Sequence, residues 1–569
     1  MIAPMFVIVP VLLAASAVLS ALLSWRARRR LLARLRGEWG HARSRARDME
    51  AIADFFRLNA PPVSDSLDDR TWNDLLLDDV FAHLDRTESS VGQQVLYRRL
   101  RQAPVPKALD TFDALIARVS SDADRRERVQ VVLARLQSSS AYYVHRLTQP
   151  DALERRPWYV VVPLWSAAVV LTLSLAFLWP ALLFAALFGV VVNRVILVVI
   201  ARRFGGEILW FRQVGPLLAA AAELKILDTD ETAAITGSLA SDLSALRRLG
   251  GVARWVSRDP LATDALTFAF LELLNMLFLM DANALYFAGR EVRAKAPQLL
   301  RVIETVGEID AAIAVASFRE GADGWTRPTF VAVNRSAAFS EIRHPLVEDV
   351  VPNSLSLAPP DGVLLTGSNM SGKSTFLRTV GVTAVLAQTI NTCLADAYEA
   401  PPFVVRSCIG RADDPATGKS YYLVEVDAVL ALVKESATDV PHLFLFDELF
   451  RGTNAVERIA AGEAVLRALL APRQNGKAAP HVVLAATHDH ELVELVAGWY
   501  VAYHFTDSVG DDGLAFDYQL LPGVASSRNA ISLLKLRGAP EDLVSRAMNR
   551  AAALDRMREP ALMAMGAAD

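Results

Sequence analysis

Apolar residues gather in a long uncharged run near the start of this chain. Residues 5–24 contain no charged side chain, and about 20 apolar residues suffice to cross ~30 Å of hydrocarbon as a helix. A cleaved signal peptide carries its positive charge before the apolar run, whereas here the charge follows it. The following arginines are Arg26, Arg28, Arg29, Arg30, Arg34 and Arg36. The pattern predicts an uncleaved membrane anchor, after which the chain continues in the cytoplasm.

A second apolar block at 158–201 is interrupted at 179–180 and predicts a hairpin of two short transmembrane helices. A buried hairpin of a soluble protein is the alternative. Because arginines flank both ends, both ends are predicted to face the cytoplasm. The flanking residues are Arg155, Arg156, Arg202 and Arg203. Arg194 is expected near the membrane interface, since a charge at the centre of a span costs roughly 2.5–3.5 kcal/mol. A third run at 265–280 is short and carries Glu272, so it predicts a buried core helix.

Outside these runs, apolar residues recur at three- and four-residue spacing, which is the period of an amphipathic helix. Leu75, Val80 and Leu84 follow this spacing within 67–104, and 216–319 is again helical by its period and composition. Neither stretch carries a pattern that points to catalysis. The sequence therefore predicts a helical scaffold that the membrane hairpin interrupts.

Composition narrows the class of protein. At 569 residues the chain should hold several domains, because single cores stop growing near ~250–300 residues. A net charge of −4 provides no overall basic field of the kind that attracts nucleic acid. Cys393 and Cys408 are the two cysteines, so neither a disulfide framework nor a four-ligand zinc site is expected. The 53% hydrophobic content agrees with membrane segments.

A glycine-rich loop follows the apolar run 363–365 and precedes a stretch of helical character. Gly367 and Gly372-Lys373-Ser374 form the pattern G-x-x-x-x-G-K-S in the context that a phosphate-binding loop requires. Backbone N–H groups of such a loop turn toward phosphate oxygens, and the helix N-terminus adds partial positive charge. Lys373 is expected to reach the β- and γ-phosphates, and the Ser374 hydroxyl to bind Mg²⁺. The predicted nucleotide-binding residues are Gly367, Ser368, Asn369, Met370, Ser371, Gly372, Lys373, Ser374 and Thr375.

Two later apolar strands predict the rest of a nucleotide site. One ends in Asp447 and Glu448, so Asp447 is expected to hold Mg²⁺ and Glu448 to polarise the attacking water. The other leads to His488. A single histidine is more often structural, but the carboxyl end of a parallel strand faces the ligand crevice, so His488 is predicted to sense the γ-phosphate. These residues, with Lys373, predict an ATPase that uses ATP and Mg²⁺.

The same segments resemble the ATPase domain of the MutS DNA mismatch repair proteins, a branch of the ABC-type ATPases. The motifs that carry the resemblance are Arg343-His344-Pro345, Asn369-Met370 in the loop, Asp447-Glu448 with Arg451-Gly452-Thr453, and Thr487-His488. Residues 410–426 are similar to the family's signature segment, and 525–547 to its closing dimer-contact helices. The helical segments 67–104 and 303–318 resemble the two halves of the family's lever-like core.

The resemblance implies a fold, an assembly and a set of roles. The fold is an α/β P-loop ATPase domain of the ABC and MutS type, preceded by an all-α lever-like core and transmembrane helices. The implied reaction is hydrolysis of ATP to ADP and phosphate by a homodimer with two composite sites. In this family the signature serine, Ser420 here, reaches the γ-phosphate bound by the other subunit. Closure of the two ATPase halves is expected to move the levers and the membrane hairpin.

The expected domains follow the motifs along the chain. They are an anchor with a basic flank (1–30), the first part of the helical core (31–154), the transmembrane hairpin (155–205), the second part of the core (206–330), the ATPase domain (331–523) and a helical dimer-contact tail (524–569). The protein is expected to be a multi-pass protein of the inner or plasma membrane, in contact with the lipid bilayer, with its ATPase domain in the cytoplasm.

The chain also departs from the mismatch repair pattern. A membrane anchor stands where the family has its mismatch-reading domain, the long clamp arms have no counterpart, and Val350 stands where an adenine-stacking aromatic is expected. One interpretation is a DNA-binding repair-type protein held at a membrane, with Arg43, Arg45 and Arg47 as candidate DNA contacts. Arginines beside a membrane more often meet lipid, however. A second interpretation is an ATP-driven mechanical switch that acts on a membrane or protein partner without DNA. A full ABC transporter is the least favoured.

Overall fold

The structure, a computed structural model, divides into two compact units. The first comprises Met1–Ala60, Leu84–Arg99 and Val105–Gly321, and the second comprises Pro61–His83, Leu100–Pro104 and Ala322–Asp569. Within these units the structure describes residues 5–59, 66–102, 106–150, 152–153, 157–256, 265–332, 336–357, 362–368, 370–410, 421–472, 476–510, 513–525, 531, 534–535 and 537–565.

Helices make up the first unit, and helices and strands together make up the second. The helices are α1 (Met5–Glu38), α2 (Met49–Leu58), α3 (Asp69–Asp74), α4 (Leu77–Leu84), α5 (Ser90–Arg101), α6 (Pro106–Ser120), α7 (Ala123–Leu133), α8 (Val161–Leu175), α9 (Leu182–Arg212), α10 (Val214–Leu224), α11 (Ala233–Thr236), α12 (Leu239–Ala245), α13 (Arg247–Val256), α14 (Ala265–Phe278), α15 (Met280–Ala294), α16 (Ala296–Glu320), α17 (Lys373–Ile390), α18 (Tyr421–Glu435), α19 (Ala455–Leu470), α20 (His490–Leu495) and α21 (Glu541–Met565). The strands are β1 (Thr329–Phe330), β2 (Ala337–Ile342), β3 (Asn353–Leu357), β4 (Gly362–Thr366), β5 (Ala397–Ala400), β6 (Val404–Cys408), β7 (His442–Asp447), β8 (Val482–Ala486), β9 (Tyr500–Gly510) and β10 (Gly513–Pro522).

Helix α16 forms the centre of the first unit, where most side chains between 302 and 319 are buried. Glycines allow α5 to approach it closely. A Cβ atom on Gly92 would lie 2.1 Å from Oδ2 of Asp310, and one on Gly307 would lie 2.2 Å from Cγ2 of Val95. Because no real Cβ contact is this short, any larger residue at either glycine would push the two helices apart.

Asp310 of α16 also caps the N-terminus of α5. Its buried carboxylate accepts hydrogen bonds from the backbone N–H groups of Glu88 at 2.9 Å and Ser89 at 2.7 Å. These are donors that the first turn of a helix leaves without an intrahelical partner. Burial raises the pKa of Asp310 to about 7, although the donated hydrogen bonds favour its ionised form. The contact joins segments that lie 222 residues apart in the sequence.

The basic segment at 43–47 forms ion pairs inside the first unit. Arg45 Nη2 lies 2.7 Å from Asp85 Oδ1, and Arg47 Nε lies 2.9 Å from Asp85 Oδ2. Arg43 pairs with the buried carboxylate of Glu88. Burial alone would raise the pKa of Asp85, but the charge and hydrogen bonds of Arg45 hold it below its ordinary value. The three arginines are structural ties rather than an exposed basic patch, which contradicts their interpretation as DNA or lipid contacts.

The segment of the predicted hairpin forms α8 and α9, which pack against each other, and of these two helices only α9 is long enough to cross a membrane. Gly189 permits the close approach, since a Cβ there would lie 3.1 Å from Cγ2 of Val169. The remaining surface is apolar and exposed, with Phe177 at 93% and Phe184 at 81%. The hairpin is therefore not buried within the described chain. Contiguous apolar surface of this kind marks a membrane or protein interaction site.

Length and composition distinguish the apolar helices from one another. Within the described residues, the helical stretch Leu182–Leu227 is long and apolar enough to cross a membrane, whereas Val161–Leu175 is shorter. The bent pair Ala269–Phe278 and Met280–Ala294 passes the same test if it counts as one span. The predicted anchor at 5–24 lies in the first part of α1.

The third apolar run forms one arm of a broken helix, so the expectation of a buried core helix is wrong. Phe270 is 57% exposed, and α14 meets α15 at a 69° bend where Leu279 has φ +50°. The break frees carbonyl groups at the end of α14. The Asn193 side chain of α9 donates to the carbonyl oxygens of Met276 at 3.1 Å and Leu277 at 2.9 Å, which satisfies them. The bend is thus fixed by the hairpin.

The second unit contains two sheets. The smaller has the strand order β1-β5-β2-β3, and the larger has the order β10-β9-β4-β8-β7-β6. In the larger sheet, β9, β4, β8, β7 and β6 are parallel, and β10 pairs antiparallel with β9 at the edge. This mixed α/β arrangement agrees with the predicted fold class for this part of the chain.

Burial explains why the central strands consist mostly of consecutive apolar residues. Every residue of β4 and β8 is buried, and β7 is buried up to its last residue. A parallel strand covered by helices on both faces has no solvent side, so its sequence does not alternate. Phe444, Phe446 and Leu466 belong to the hydrophobic cluster that joins β7 to α19. Helix α19 begins at an Asn454 cap, whose side chain accepts from the Glu457 N–H.

We expect Asp85→Ala to destabilise the first unit strongly. The substitution leaves two arginines without their buried carboxylate, and breaking a buried ion pair typically costs about 3–5 kcal/mol. Thermal unfolding of the full chain should begin at a lower temperature than in the wild type. Asp69→Ala serves as the control, because the Asp69 side chain is 87% exposed in its pair with Arg101. Equal thermal unfolding of Asp85→Ala and the control would contradict the structural role.

Candidate functional site

The loops after three neighbouring strands meet at one edge of the larger sheet. Strands β4, β8 and β7 are adjacent and parallel, so their carboxyl ends lie together. Backbone hydrogen bonds fix these ends: Thr487 N–H donates to Leu365 O at 3.0 Å, and Glu448 N–H donates to Ala486 O at 2.9 Å. The phosphate loop, the carboxylate pair and His488 are therefore brought together by the strand order.

The phosphate loop takes backbone conformations that favour glycine. Gly367 has φ +138° and Gly372 has φ +109°, both in the range that side chains rarely adopt. Met370 also has a positive φ, of 72°, and its side chain is 80% exposed. Ser371 is not among the left-handed residues, so its side chain is tolerated where the family pattern has glycine. Asn369 lies outside the described residues.

Lys373 opens helix α17 and turns back over the loop. Its Nζ donates to the carbonyl oxygens of Gly367 at 2.9 Å and Ser368 at 2.7 Å. The first N–H groups of α17 have no intrahelical acceptor, which makes this helix start a site for an anion. Thr375 lies exposed in the same first turn. The loop thus combines an ammonium group with the backbone N–H groups of a helix start, as a phosphate site requires.

Two oxygen donors fit a divalent cation beside the loop. Ser374 Oγ lies 2.5 Å from Asp447 Oδ2, across 73 residues of sequence. Burial and the neighbouring Glu448 charge raise the pKa of Asp447, while the hydrogen bond from Ser374 opposes the rise. Among the described residues there is no cluster of three or more His, Cys, Asp or Glu that could hold a metal alone. That donor set suits Mg²⁺, which takes one or two protein oxygens together with phosphate and water.

Glu448 lies between two positively polarised groups. His488 Nε2 is 2.9 Å from its Oε1, and Arg451 Nη1 is 2.8 Å from its Oε2. The hydrogen bond from His488 lowers the pKa of Glu448 despite partial burial, so the carboxylate stays ionised and able to accept a proton. Its backbone has φ +54°, a conformation that costs about 1–3 kcal/mol in a non-glycine residue and gathers at functional sites.

A small cavity adjoins this carboxylate. Its volume is about 150 Å³, and Glu448, Thr487 and His488 lie in its wall. A water molecule occupies roughly 30 Å³ in the liquid, so the cavity has room for several. The site can therefore bring water next to an ionised carboxylate.

Asp74 is a residue of the second unit that the sequence pattern did not reveal. Its buried carboxylate accepts hydrogen bonds from Ser407 Oγ at 2.8 Å, from Ile409 N–H at 2.9 Å and from Gly410 N–H at 2.8 Å. Its backbone oxygen accepts from Arg378 Nε of α17 at 2.8 Å. One residue of α3 thus holds both the helix after the phosphate loop and the backbone that leads into 411–420. No local motif predicts this, because the contacts span more than 300 residues.

Two further residues border the site. Glu425 of α18 accepts from the Phe450 N–H at 2.6 Å, which ties α18 to the turn after Asp447-Glu448. Tyr518 lies near the loop, since a Cβ on Gly372 would be 3.3 Å from its Cδ1. Ser420 and the rest of 411–420 lie outside the described residues, so the predicted role of Ser420 stays a prediction.

We expect Asp74→Ala to loosen the backbone at 407–410. The substitution removes the acceptor of three donors, and a buried donor left unpaired costs about 1–3 kcal/mol. Hydrogen exchange of the Ile409 and Gly410 amides should accelerate relative to the wild type. The exposed Asp79 of α4 provides the matched control, as Asp79→Ala should leave these amides protected. Unchanged exchange in Asp74→Ala would rule out the anchoring role.

Comparison with known proteins agrees with this geometry. The family of MutS domain V matches residues 363–555. The DNA mismatch repair protein MutS of Thermus thermophilus is 37% identical over 296 residues, which is 51% of this chain and 34% of that protein. The protein of the same name from Thermus aquaticus is 35% identical over 285 residues, and that from Natronomonas pharaonis is 33% identical over 266 residues.

The match is partial on both sides. The segment similar to Thermus aquaticus MutS covers 48% of this chain and 33% of that protein, and the Natronomonas segment covers 45% and 30%. The chain therefore spans about a third of the length of these relatives. The similarity includes the loop, the carboxylate pair and His488, all of which fall within 363–555.

Proposed function

Because the chain belongs to the MutS family through residues 363–555, we propose that it is a membrane-bound ATPase that hydrolyses ATP to ADP and phosphate. One observation carries the proposal. The phosphate loop, the Ser374–Asp447 oxygen pair and the Glu448–His488 pair lie at the ends of three adjacent parallel strands. This is where a nucleotide binds in an open α/β sheet.

Each residue has a distinct task in this reaction. Lys373 would neutralise charge on the phosphates, and Ser374 with Asp447 would hold Mg²⁺, which when bound offsets charge on the β- and γ-phosphates. Glu448 would orient the attacking water and accept its proton, since its low pKa keeps it ionised. His488, hydrogen-bonded to Glu448, would report the γ-phosphate to that carboxylate.

The assembly and its setting form the second part of the proposal. By family resemblance, two copies form a homodimer in which Ser420 of each completes the other's site. The exposed apolar faces of α8 and α9 support insertion in the inner or plasma membrane, with the ATPase domain in the cytoplasm. In this setting, nucleotide-driven closure would move helices that continue into the bilayer.

The base-binding residue is proposed to differ from the family pattern. Val350 offers no ring for adenine, whereas Tyr518 is 44% exposed beside Gly372. Asn353 donates to the Tyr518 backbone oxygen at 3.0 Å, which holds that part of β10 near β3. We therefore propose that the ring of Tyr518 stacks on the adenine base, a contact that Val350 cannot make.

We expect Glu448→Gln to lower ATP turnover by about a hundredfold or more, because a general base contributes roughly 10²–10⁴. The amide keeps the shape of the carboxylate but cannot accept the proton, so nucleotide affinity should be retained. Steady-state phosphate release by the purified full chain, with a nucleotide-binding measurement alongside, tests this. Glu463→Gln is the control, as Glu463 pairs with Arg467 on α19. Wild-type turnover in Glu448→Gln would reject the site assignment.

ATP hydrolysis by this chain has two candidate functions. The similar proteins are DNA mismatch repair proteins, which supports a DNA-binding repair-type role. A second candidate, a mechanical switch acting on a membrane or protein partner without DNA, is favoured by the first unit. There the arginines that could have bound DNA are engaged by Asp85 and Glu88.

Salt dependence of DNA binding separates the two candidates. Duplex, mismatched and branched DNA should be titrated with and without ATP, because bound phosphates release counterions and affinity then falls steeply with salt, with a slope near −0.9 per contact. Salt-sensitive binding supports the repair-type role, and its absence at micromolar protein eliminates that role.

In either case we expect Arg45→Gln to bind DNA as the wild type does, since Arg45 is paired with Asp85. Reduced DNA binding by a folded Arg45→Gln protein would overturn this assignment.

A further inference from the structure

An apolar cavity of about 460 Å³ lies between α8, α9 and α15 in the first unit. Its wall runs along α9 from Val192 to Phe204 and includes Val161 of α8 and Leu285 of α15. Specific ligand pockets commonly measure about 300–1,000 Å³, so the space suits a ligand rather than a single water. Val161 and Val199 are more than half exposed, so the cavity opens sideways on the hairpin surface.

The two ends of the cavity differ in character. At one end the wall contains Tyr159, Phe204 and Arg203, with the Arg203 guanidinium 5.6 Å from the Phe204 ring centroid. Among the described residues, no carboxylate lies within ion-pair distance of Arg203. Toward the other end, Trp165 donates its ring N–H to Asn193 Oδ1 at 2.7 Å, which leaves the wall apolar there. The cavity therefore runs from a cationic, aromatic end into a hydrocarbon-like interior.

The length of the cavity matches one leaflet of a membrane. From Val192 to Phe204, α9 advances about 18 Å at roughly 1.5 Å per residue. Half of a hydrocarbon core of ~30 Å is about 15 Å. Aromatic and arginine side chains together are typical of the level where the core meets the headgroups. The proposed orientation puts the Arg203 end of the hairpin at the cytoplasmic face.

We propose that this cavity binds one acyl chain of an anionic glycerophospholipid, with the lipid headgroup at Arg203. This inference rests on the membrane setting under "Proposed function". Exposed apolar residues of the cavity wall, including Val161 and Val195, would let the second chain of the same lipid stay in the bilayer. The lipid would then bridge α8, α9 and α15, the three helices that line the cavity.

Native mass spectrometry of the delipidated full chain, given equal palmitoyl-oleoyl phosphatidylglycerol and phosphatidylcholine, tests the inference. The wild type should retain phosphatidylglycerol preferentially. Arg203→Gln should lose about fivefold of that preference, which corresponds to one charge near a headgroup. Arg202→Gln, an exposed arginine beside Arg203 that does not line the cavity, is its control and should retain the preference.

A second pair of variants tests the cavity itself. Val199→Trp should fill the space and abolish retention of both lipids, whereas Val198→Trp, one residue away and outside the wall, should retain them. A photoactivatable acyl chain should crosslink to α8, α9 or α15 in the wild type, which locates the site without a substitution. Unchanged thermal unfolding and ATP turnover would show that each variant is folded.

The outcomes separate this inference from the proposal on which it rests. If alkaline carbonate releases the protein from membranes, both the membrane setting and the lipid site are wrong. If the protein stays in the membrane but Val199→Trp and Val198→Trp retain lipid equally, the lipid site alone is wrong. Crosslinks confined to other helices would also overturn the lipid site.

Discussion

Parallel alignment of β4, β8 and β7 is the constraint on which the proposed chemistry depends. Each strand contributes one residue set at its carboxyl end, and no set is sufficient alone. In the proposed reaction the loop after β4 would bind phosphate, and Asp447 with the adjacent Ser374 would hold a cation. The hydrogen bond from His488 lowers the pKa of Glu448. Because backbone hydrogen bonds fix the three ends, distances within the site are set by the sheet rather than by flexible side chains.

The first unit solves a different problem, which is the placement of polar groups in an apolar helical environment. Asp310 caps α5 from within α16, Asn193 caps the broken end of α14, and Asp85 neutralises two arginines. Each group satisfies donors, acceptors or charges that would be costly to bury unpaired. These contacts join elements that lie far apart in the sequence. They fix the positions of the helices more specifically than apolar packing alone would.

Short local patterns were enough to predict the nucleotide site. The phosphate loop needs glycines at fixed spacing because only they tolerate the φ values seen at Gly367 and Gly372. The buried strands leading to Asp447 and His488 need continuous apolar residues because helices cover both faces. Such requirements act over a few neighbouring residues, so they can be read without knowing the fold. The order of β4, β8 and β7 in the sheet, by contrast, is known only from the tertiary structure.

What the sequence by itself determined is therefore the chemistry of the loop and of the strand ends, since covalent neighbours impose it. Only the tertiary structure decided which partners the charged side chains meet and which group caps the break between α14 and α15. From the sequence, Arg45 is a candidate contact for nucleic acid or lipid. In the structure it pairs with Asp85, which lies 40 residues away in the sequence. In the sequence, nothing distinguishes Asp74 from other acidic residues of a helix. In the structure it accepts a hydrogen bond from Gly410, which lies 336 residues later. Pairing across such separations depends on packing, and no local pattern records which partner the fold supplies.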